Sequence, residues 1–213
     1  MSEVTVELEE TAFSDREQHS EANHLGMWAF LATEILFFGG LFASYAVLRW
    51  TYPQAFAQAS DRLEFPIGTL NTAVLLTSSL FMALADLAVK RNDRKWVRNH
   101  LVITWVLGAL FIGIKLYEYY QKYVEHLIPG PAFHFPEAPP QAQLFFFLYF
   151  AMTGLHAVHM LFGLAPILWS IRRNSRGTIT ADRPDSISLV GLYWHFVDCI
   201  WVFLYPLLYL AGK

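Results

Sequence analysis

The stretch Gly191-Leu192-Tyr193-Trp194-His195-Phe196-Val197-Asp198-Cys199-Ile200-Trp201-Val202-Phe203-Leu204-Tyr205 decides how this chain folds. It is apolar enough to cross a bilayer, yet it carries a histidine and a carboxylate three residues apart. Ionisable side chains at membrane depth cost about 2.5–3.5 kcal/mol each on insertion scales, so they are kept where a partner, a cavity or a task holds them. At this spacing on a helix, His195 and Asp198 share a face. Tyr193, Trp194, Phe196 and Trp201 surround the pair with aromatic rings.

Outward from this segment the chain keeps the same character. It is 55% hydrophobic and only 15% charged, where an ordinary soluble domain carries about 25% charge. Five segments are long enough to span at roughly 20 residues per hydrocarbon core: residues 26–50, 67–89, 101–123, 144–171 and 187–210. The expected fold is therefore an all-α integral membrane protein of five transmembrane helices. A polar, acidic tail occupies residues 1–25 and one membrane domain occupies residues 26–213. Too little chain lies between the spans for a separate soluble catalytic domain. The single cysteine, Cys199, cannot form an intrachain disulfide or a thiolate metal cluster. Residues 1–22 have no apolar core of a signal peptide, so the first span is expected to act as its own insertion signal. A net charge of −3, with no basic patch away from the membrane flanks, gives no footing for nucleic acid.

Topology follows from lysine and arginine. Lys90, Arg91, Arg94, Lys95 and Arg98 cluster after the second span, and Arg172, Arg173, Arg176 and Arg183 after the fourth. The opposite loops offer only Arg49, Arg62 and Lys122. The basic loops are expected inside, which puts the N-terminus inside and the C-terminus outside. The loop over residues 124–142, with Pro129, Pro131, Pro136, Pro139 and Pro140, reads as a stiffened connector or as a segment ordered against a neighbour.

Polar groups recur inside the other spans. Glu34 stands in the first, within Thr33-Glu34-Ile35-Leu36-Phe37-Phe38-Gly39-Gly40. It reads as a proton-exchanging or lipid-contacting carboxyl, or as a neutral acid bonded to a neighbouring helix. In the second, Asn71 and Thr72 are interhelical hydrogen-bonding types, and Asp86 lies one turn from Lys90 as an interfacial ion pair. In the third, Lys115 and Glu118 form an i,i+3 pair of opposite sign. Glu118 is expected near the outer interface, with Tyr119 and Tyr120 as an aromatic belt. The fourth carries His156 and His159 one turn apart, between Gly154 and Gly163. With His195 these permit a bis-histidine haem or a metal site on paper. The glycines argue instead for close helix packing, with the histidines bonding to Glu34, Asp198 or a lipid head group.

Together these blocks resemble subunit III of the haem–copper oxidases. The match rests on Glu34-Ile35-Leu36-Phe37-Phe38, on Leu70-Asn71-Thr72 with Val74-Leu75-Leu76, and on Glu118-Tyr119-Tyr120. It continues through Gly154-Leu155-His156-Ala157-Val158-His159 into Tyr193-Trp194-His195-Phe196-Val197-Asp198 with Trp201. The blocks stand in family order over residues 26–212, and the set is far more specific than any one of them. The resemblance implies a non-catalytic subunit of a terminal respiratory oxidase, in the cytochrome c oxidase branch, in a bacterial plasma membrane. It implies no haem or copper in this chain, these being held by the partner subunits I and II, and phospholipid bound in a cleft. It also implies support of proton uptake and of resistance to turnover-linked inactivation. Glu34 takes the position of the family's carbodiimide-reactive buried acid. The chain departs from the seven-helix pattern by two N-terminal helices and resembles the short five-helix bacterial form, whose missing pair an extended catalytic subunit can supply. Lys115 is a further departure.

The expected functional set is Glu34, His156, His159, His195 and Asp198 as buried acid, proton-linked or lipid-linked groups. Asn71, Thr72, Lys115 and Glu118 are expected as interhelical polar groups, with no catalytic residue and no metal ligand. A quinol oxidase subunit III, or a similar accessory protein of nitric oxide reductase, is the nearest alternative. A membrane cytochrome using His156, His159 and His195, or a small transporter using Glu34, Lys115 and Asp198, represents another class.

Overall fold

Helix boundaries in this chain are written in a few residues. Pro53 opens a short helix at its first turn, where a missing N–H costs nothing. The Asp93 carboxylate accepts from the backbone N–H groups of Lys95 at 3.2 Å and Trp96 at 3.1 Å, which starts another. Just before it, Asn92 adopts φ 56°, a left-handed position that asparagine tolerates, and reverses the chain. The computed structural model describes residues 16–131, 133–175 and 185–210, and six helices lie among them. They are α1 (Arg16–Thr51), α2 (Pro53–Asp61), α3 (Phe65–Lys90), α4 (Arg94–Val124), α5 (Ala142–Ser175) and α6 (Asp185–Tyr209).

All except α2 are long and apolar enough to cross a membrane, as the sequence leads one to expect. The helices overrun the expected spans, and α1 passes without a break through the anticipated tail boundary at residue 25. Polar residues can extend a helix past the hydrocarbon once it is nucleated. The rest of the tail, with Arg176 and Arg183, lies outside the described residues.

Helices α3, α4, α5 and α6 form a ring in which each packs on two neighbours: α3 on α4 and α6, α5 on α4 and α6. Trp194 and Trp201 of α6, both fully buried, fill its centre. A Cβ added to Gly108 of α4 would lie 2.7 Å from the Trp194 ring, and one added to Gly163 of α5 would lie 2.9 Å from it. Glycine is therefore required at both positions for the indole to lie between α4 and α5. Gly154 meets nothing closer than 3.7 Å, so of the two glycines singled out in the sequence only Gly163 marks a tight approach.

Helix α1 is an outrigger. It packs on α5, α6 and α2, and not on α3 or α4. Its buried apolar residues, Leu31, Phe38 and Tyr45, recur every seventh residue and form a single narrow seam. The other side presents Leu25, Leu36 and Trp50, all more than two-thirds exposed.

One end of the bundle is closed by α2 and the proline-containing loop. Phe56 of α2 packs edge-on against Tyr45 at 5.4 Å and Phe145 at 5.5 Å. Phe133 and Phe135 of the loop lie 5.9 and 6.3 Å from Phe146. Arg62 lies over the Phe135 ring at 4.9 Å and pairs with Glu137. The loop is thus ordered against its own chain. At the opposite end Asn174 of α5 donates to the Arg94 carbonyl at 2.8 Å, which brings the two basic connections together.

Candidate functional site

Three polar clusters lie between the spans. The first joins α1 to α5: Glu34 Oε2 stands 3.0 Å from His159 Nε2, with 19% and 12% of the two side chains exposed. His159 Nδ1 lies 2.9 Å from the Leu155 carbonyl oxygen. A carbonyl can only accept, so Nδ1 carries a hydrogen. Nε2 then faces Glu34, and the contact needs one hydrogen between the two atoms. It is either an acid donating to imidazole or an imidazolium donating to a carboxylate, and the pair is neutral overall in both. Tyr193 of α6 donates to the His159 carbonyl at 3.0 Å, and the Phe38 ring lies edge-on to the imidazole at 5.3 Å.

This pair forms part of the wall of a cleft of about 500 Å³ between α1, α5 and α6. The remaining wall includes Met27, Phe30, Phe162 and Val190. A long apolar trough with one proton-sharing pair on its side offers room for hydrocarbon and a single polar anchor.

The second cluster is sealed in the ring. Lys115 Nζ donates to Glu118 Oε2 at 2.9 Å, to Tyr149 Oη at 3.1 Å and to Tyr209 Oη at 2.9 Å. Tyr149 donates to Glu118 Oε1 at 2.9 Å, and Tyr209 donates to the same oxygen. An ammonium has three N–H donors, and all three are used here. The closed set ties α4, α5 and α6 together. Glu118 is fully buried inside the bundle. Tyr119 is also turned inward, its hydroxyl 2.6 Å from that of Thr153, so of the expected belt only Tyr120 is exposed. The reason is local, since a charged pair on a helix facing two tyrosines is satisfied more completely inside than beside water.

The third cluster runs between α3 and α6. Lys90 pairs with Asp86 at 2.8 Å, as expected, and Ser188 donates to Asp86 Oδ1 at 2.6 Å. Further along, a 2.7 Å hydrogen bond joins Ser79 Oγ to His195 Nδ1. One turn beyond, Asp198 is buried, and neither carboxylate oxygen has a hydrogen-bond partner among the described residues.

The expected histidine set does not converge. His159 faces Glu34 and His195 faces Ser79. His156 is buried between the rings of Phe111 at 5.5 Å and Trp201 at 5.1 Å, with neither nitrogen bonded. It therefore does not reach Glu34, which meets His159 alone. No group of three histidine, cysteine or acidic side chains able to hold a metal ion occurs among the described residues. Asn71 and Thr72 do bridge helices: Asn71 donates to the Phe111 carbonyl at 3.4 Å, and Thr72 accepts from the Trp201 indole at 3.0 Å.

Tyr149, Tyr209 and Ser79 escape a reading of the sequence. The available signal is donor arithmetic: a buried lysine with one carboxylate beside it still needs two acceptors, which must come from facing helices.

Comparison with known proteins covers nearly the whole chain. A family described as cytochrome c oxidase subunit III matches residues 8–213. Cytochrome c oxidase subunit 3 of Thermostichus vulcanus is 34% identical over 212 residues, covering 98% of each chain. The protein of the same name from Alkalihalophilus pseudofirmus is 33% identical over 188 residues, 88% of this chain and 86% of that one. A probable quinol oxidase subunit 3 of Staphylococcus aureus is 27% identical over 197 residues, 92% of each.

Proposed function

The chain belongs to the cytochrome c oxidase subunit III family, and on that premise we propose that it sits in a bacterial plasma membrane beside catalytic subunits I and II and supports them without a redox centre of its own. The observation that carries this reading is that the histidines and the lysine within the spans do not converge on a common site, His156 lying between the rings of Phe111 and Trp201. His159 is taken by Glu34, His195 by Ser79, and Lys115 by Glu118 and two tyrosines. Haem and copper chemistry falls to the partners. The lysine and arginine distribution supports an inside N-terminus and an outside C-terminus. The α1–α5–α6 cleft is the seat for a phospholipid chain, with the Glu34–His159 pair as its polar contact. Through that contact Glu34 tunes lipid and proton access to the catalytic partner and protects it during turnover.

The higher identity to the two cytochrome c oxidase subunits favours cytochrome c over quinol as electron donor. Gentle purification through a tag on this chain, with an absorbance spectrum and identification of the accompanying chains, tests the whole reading. Haem a with a large multi-helix partner is the expected result. Haem b or o alone moves the assignment to a quinol-oxidising or nitric oxide-reducing assembly. A chain that emerges alone and colourless sinks it.

A further inference from the structure

His100 of α4 is held firmly on one side and left open on the other. It is 6% exposed. Its Nδ1 lies 2.7 Å from the Trp96 carbonyl oxygen, so Nδ1 carries a hydrogen. The ring stacks on Trp96 at 5.1 Å and lies 5.7 Å from Phe81 of α3. Nε2 has no hydrogen-bond partner among the described residues, and it is not sealed from its surroundings. In the neutral ring that nitrogen is an acceptor. His100 lines a cleft of about 310 Å³ between α3 and α4. A buried imidazole fixed at one nitrogen and open to a cleft at the other calls for a donor from outside the chain.

The same cleft carries two opposite charges on one tight turn. Arg91 and Asp93 both line it, on either side of Asn92 with its φ of 56°. The turn is fixed by the Asn92 N–H donating to the Val89 carbonyl at 2.9 Å and the Asp93 N–H to the Ala88 carbonyl at 3.1 Å. Arg91 forms no ion pair among the described residues. Asp93 Oδ1 is spent on starting α4, while Oδ2 accepts from no described residue. The rest of the lining is apolar and includes Leu84, Leu87 and Trp96. His100 follows Arg98, the last basic residue of this connection, by two positions. Basic residues at the end of a span mark the level of the lipid headgroups.

We propose that this α3–α4 cleft binds the headgroup of a phosphatidylethanolamine at the basic end of the bundle. The ligand has to supply an anion for Arg91, hydrogens for two acceptors, and hydrocarbon for the leucines and Trp96. A phosphodiester meets the guanidinium with two parallel hydrogen bonds. A primary ammonium has three N–H groups, enough to serve both Asp93 Oδ2 and His100 Nε2. An acyl chain takes the apolar wall of Leu84 and Leu87. The lining holds one cation and one carboxylate, and this headgroup carries the same two charges in complement. Phosphatidylglycerol brings a net negative charge against Asp93, and phosphatidylcholine has no N–H to give to His100. The site shares no lining residue with the α1–α5–α6 cleft. It requires only that the chain spans a membrane.

Photolabelling of the complete complex tests this, with a phosphatidylethanolamine that carries a diazirine in its acyl chain and with labelled peptides identified by mass spectrometry. Label is expected within residues 84–100. Unlabelled phosphatidylethanolamine is expected to compete at about one-tenth the concentration needed of phosphatidylcholine or phosphatidylglycerol, the effect of one charge-assisted hydrogen bond. Arg91→Gln is expected to weaken labelling there by about tenfold. Asp93→Asn keeps the helix cap, since asparagine caps as well as aspartate, and is expected to put phosphatidylglycerol ahead of phosphatidylethanolamine as competitor. If a variant does not assemble, the wild-type competition decides the matter by itself. No label within residues 84–100, equal competition by the three lipids, or an unchanged order in Asp93→Asn overturns the proposal. Competition by glycerophosphoethanolamine as strong as that by the whole lipid overturns a membrane lipid as the occupant. Failure here leaves the subunit reading intact, since co-purification with haem-bearing partners tests that alone.

Discussion

Lys115 Nζ lies 2.9 Å from Glu118 Oε2, one turn along α4, and the two side chains are 3% and 0% exposed. A buried ion pair is tolerated when its geometry is good and its leftover donors and acceptors are satisfied. Tyr149 and Tyr209 supply that satisfaction from α5 and α6.

Breaking this set from one side is expected to be severe. Lys115→Met or Glu118→Leu alone leaves an uncompensated buried charge and costs about 3–5 kcal/mol. The double replacement restores most of that loss. Thermal unfolding of the purified chain in detergent checks it; a double variant no more stable than either single one rules out charge compensation.

The seat of Trp194 gives a second expectation. Gly108→Ala and Gly163→Ala each push a methyl group into the indole and cost about 1–3 kcal/mol. Trp194→Phe, harmful by itself, is expected to soften both penalties. Equal losses in the presence and absence of the smaller ring count against this seat as the cause.

Glu34 separates charge from shape. Glu34→Gln keeps a partner for His159 Nε2, whereas Glu34→Ala leaves that nitrogen alone, at about 1–3 kcal/mol. In the assembled complex both variants are expected to lose activity faster over successive turnovers, and the alanine variant also to retain less phospholipid. Full activity, turnover stability and lipid content in both would end the functional reading of this residue.

At the closed end, contacts of similar appearance differ in weight. The Arg62–Glu137 pair is exposed, so Arg62→Gln is expected to change stability by less than about 1 kcal/mol. Phe146, fully buried beneath Phe133 and Phe135, is worth about 3–5 kcal/mol against alanine. Denaturation midpoints that rank these two variants the other way round refute the assignment.

Much of this fold is legible in the sequence. Apolar run length alone places the five spans, because a membrane leaves few alternatives for a stretch of 20 or more such residues. The Asp86–Lys90 and Lys115–Glu118 pairs follow from spacing along one helix. What lies across helices is less visible: His159 rather than His156 meets Glu34, although the two are one turn apart. Which of them turns toward α1 depends on the rotation of α5, and that is fixed by Trp194 against Gly163 and by Tyr193 bonding the His159 carbonyl. Helix α2 is not legible in the sequence, because nine residues with Ala55, Phe56 and Ala59 on one side resemble a loop until Tyr45 and Phe145 are there to cover.

The outrigger position of α1 carries a consequence for how the chain is made. Leu31, Phe38 and Tyr45 enter the bilayer first during synthesis, but apart from Phe56 of α2, which meets Tyr45, the surfaces they fit belong to α5 and α6, the last helices to arrive. Tyr45 donates to the carbonyl of Leu207, only a few residues from the end of α6. The first span must therefore wait in lipid, membrane-inserted yet undocked, through the insertion of nearly all the rest. Assembly closes from its two ends inward, and a ribosome that stalls before residue 207 leaves a first helix without the hydrogen bond that fastens Tyr45 to the end of the last.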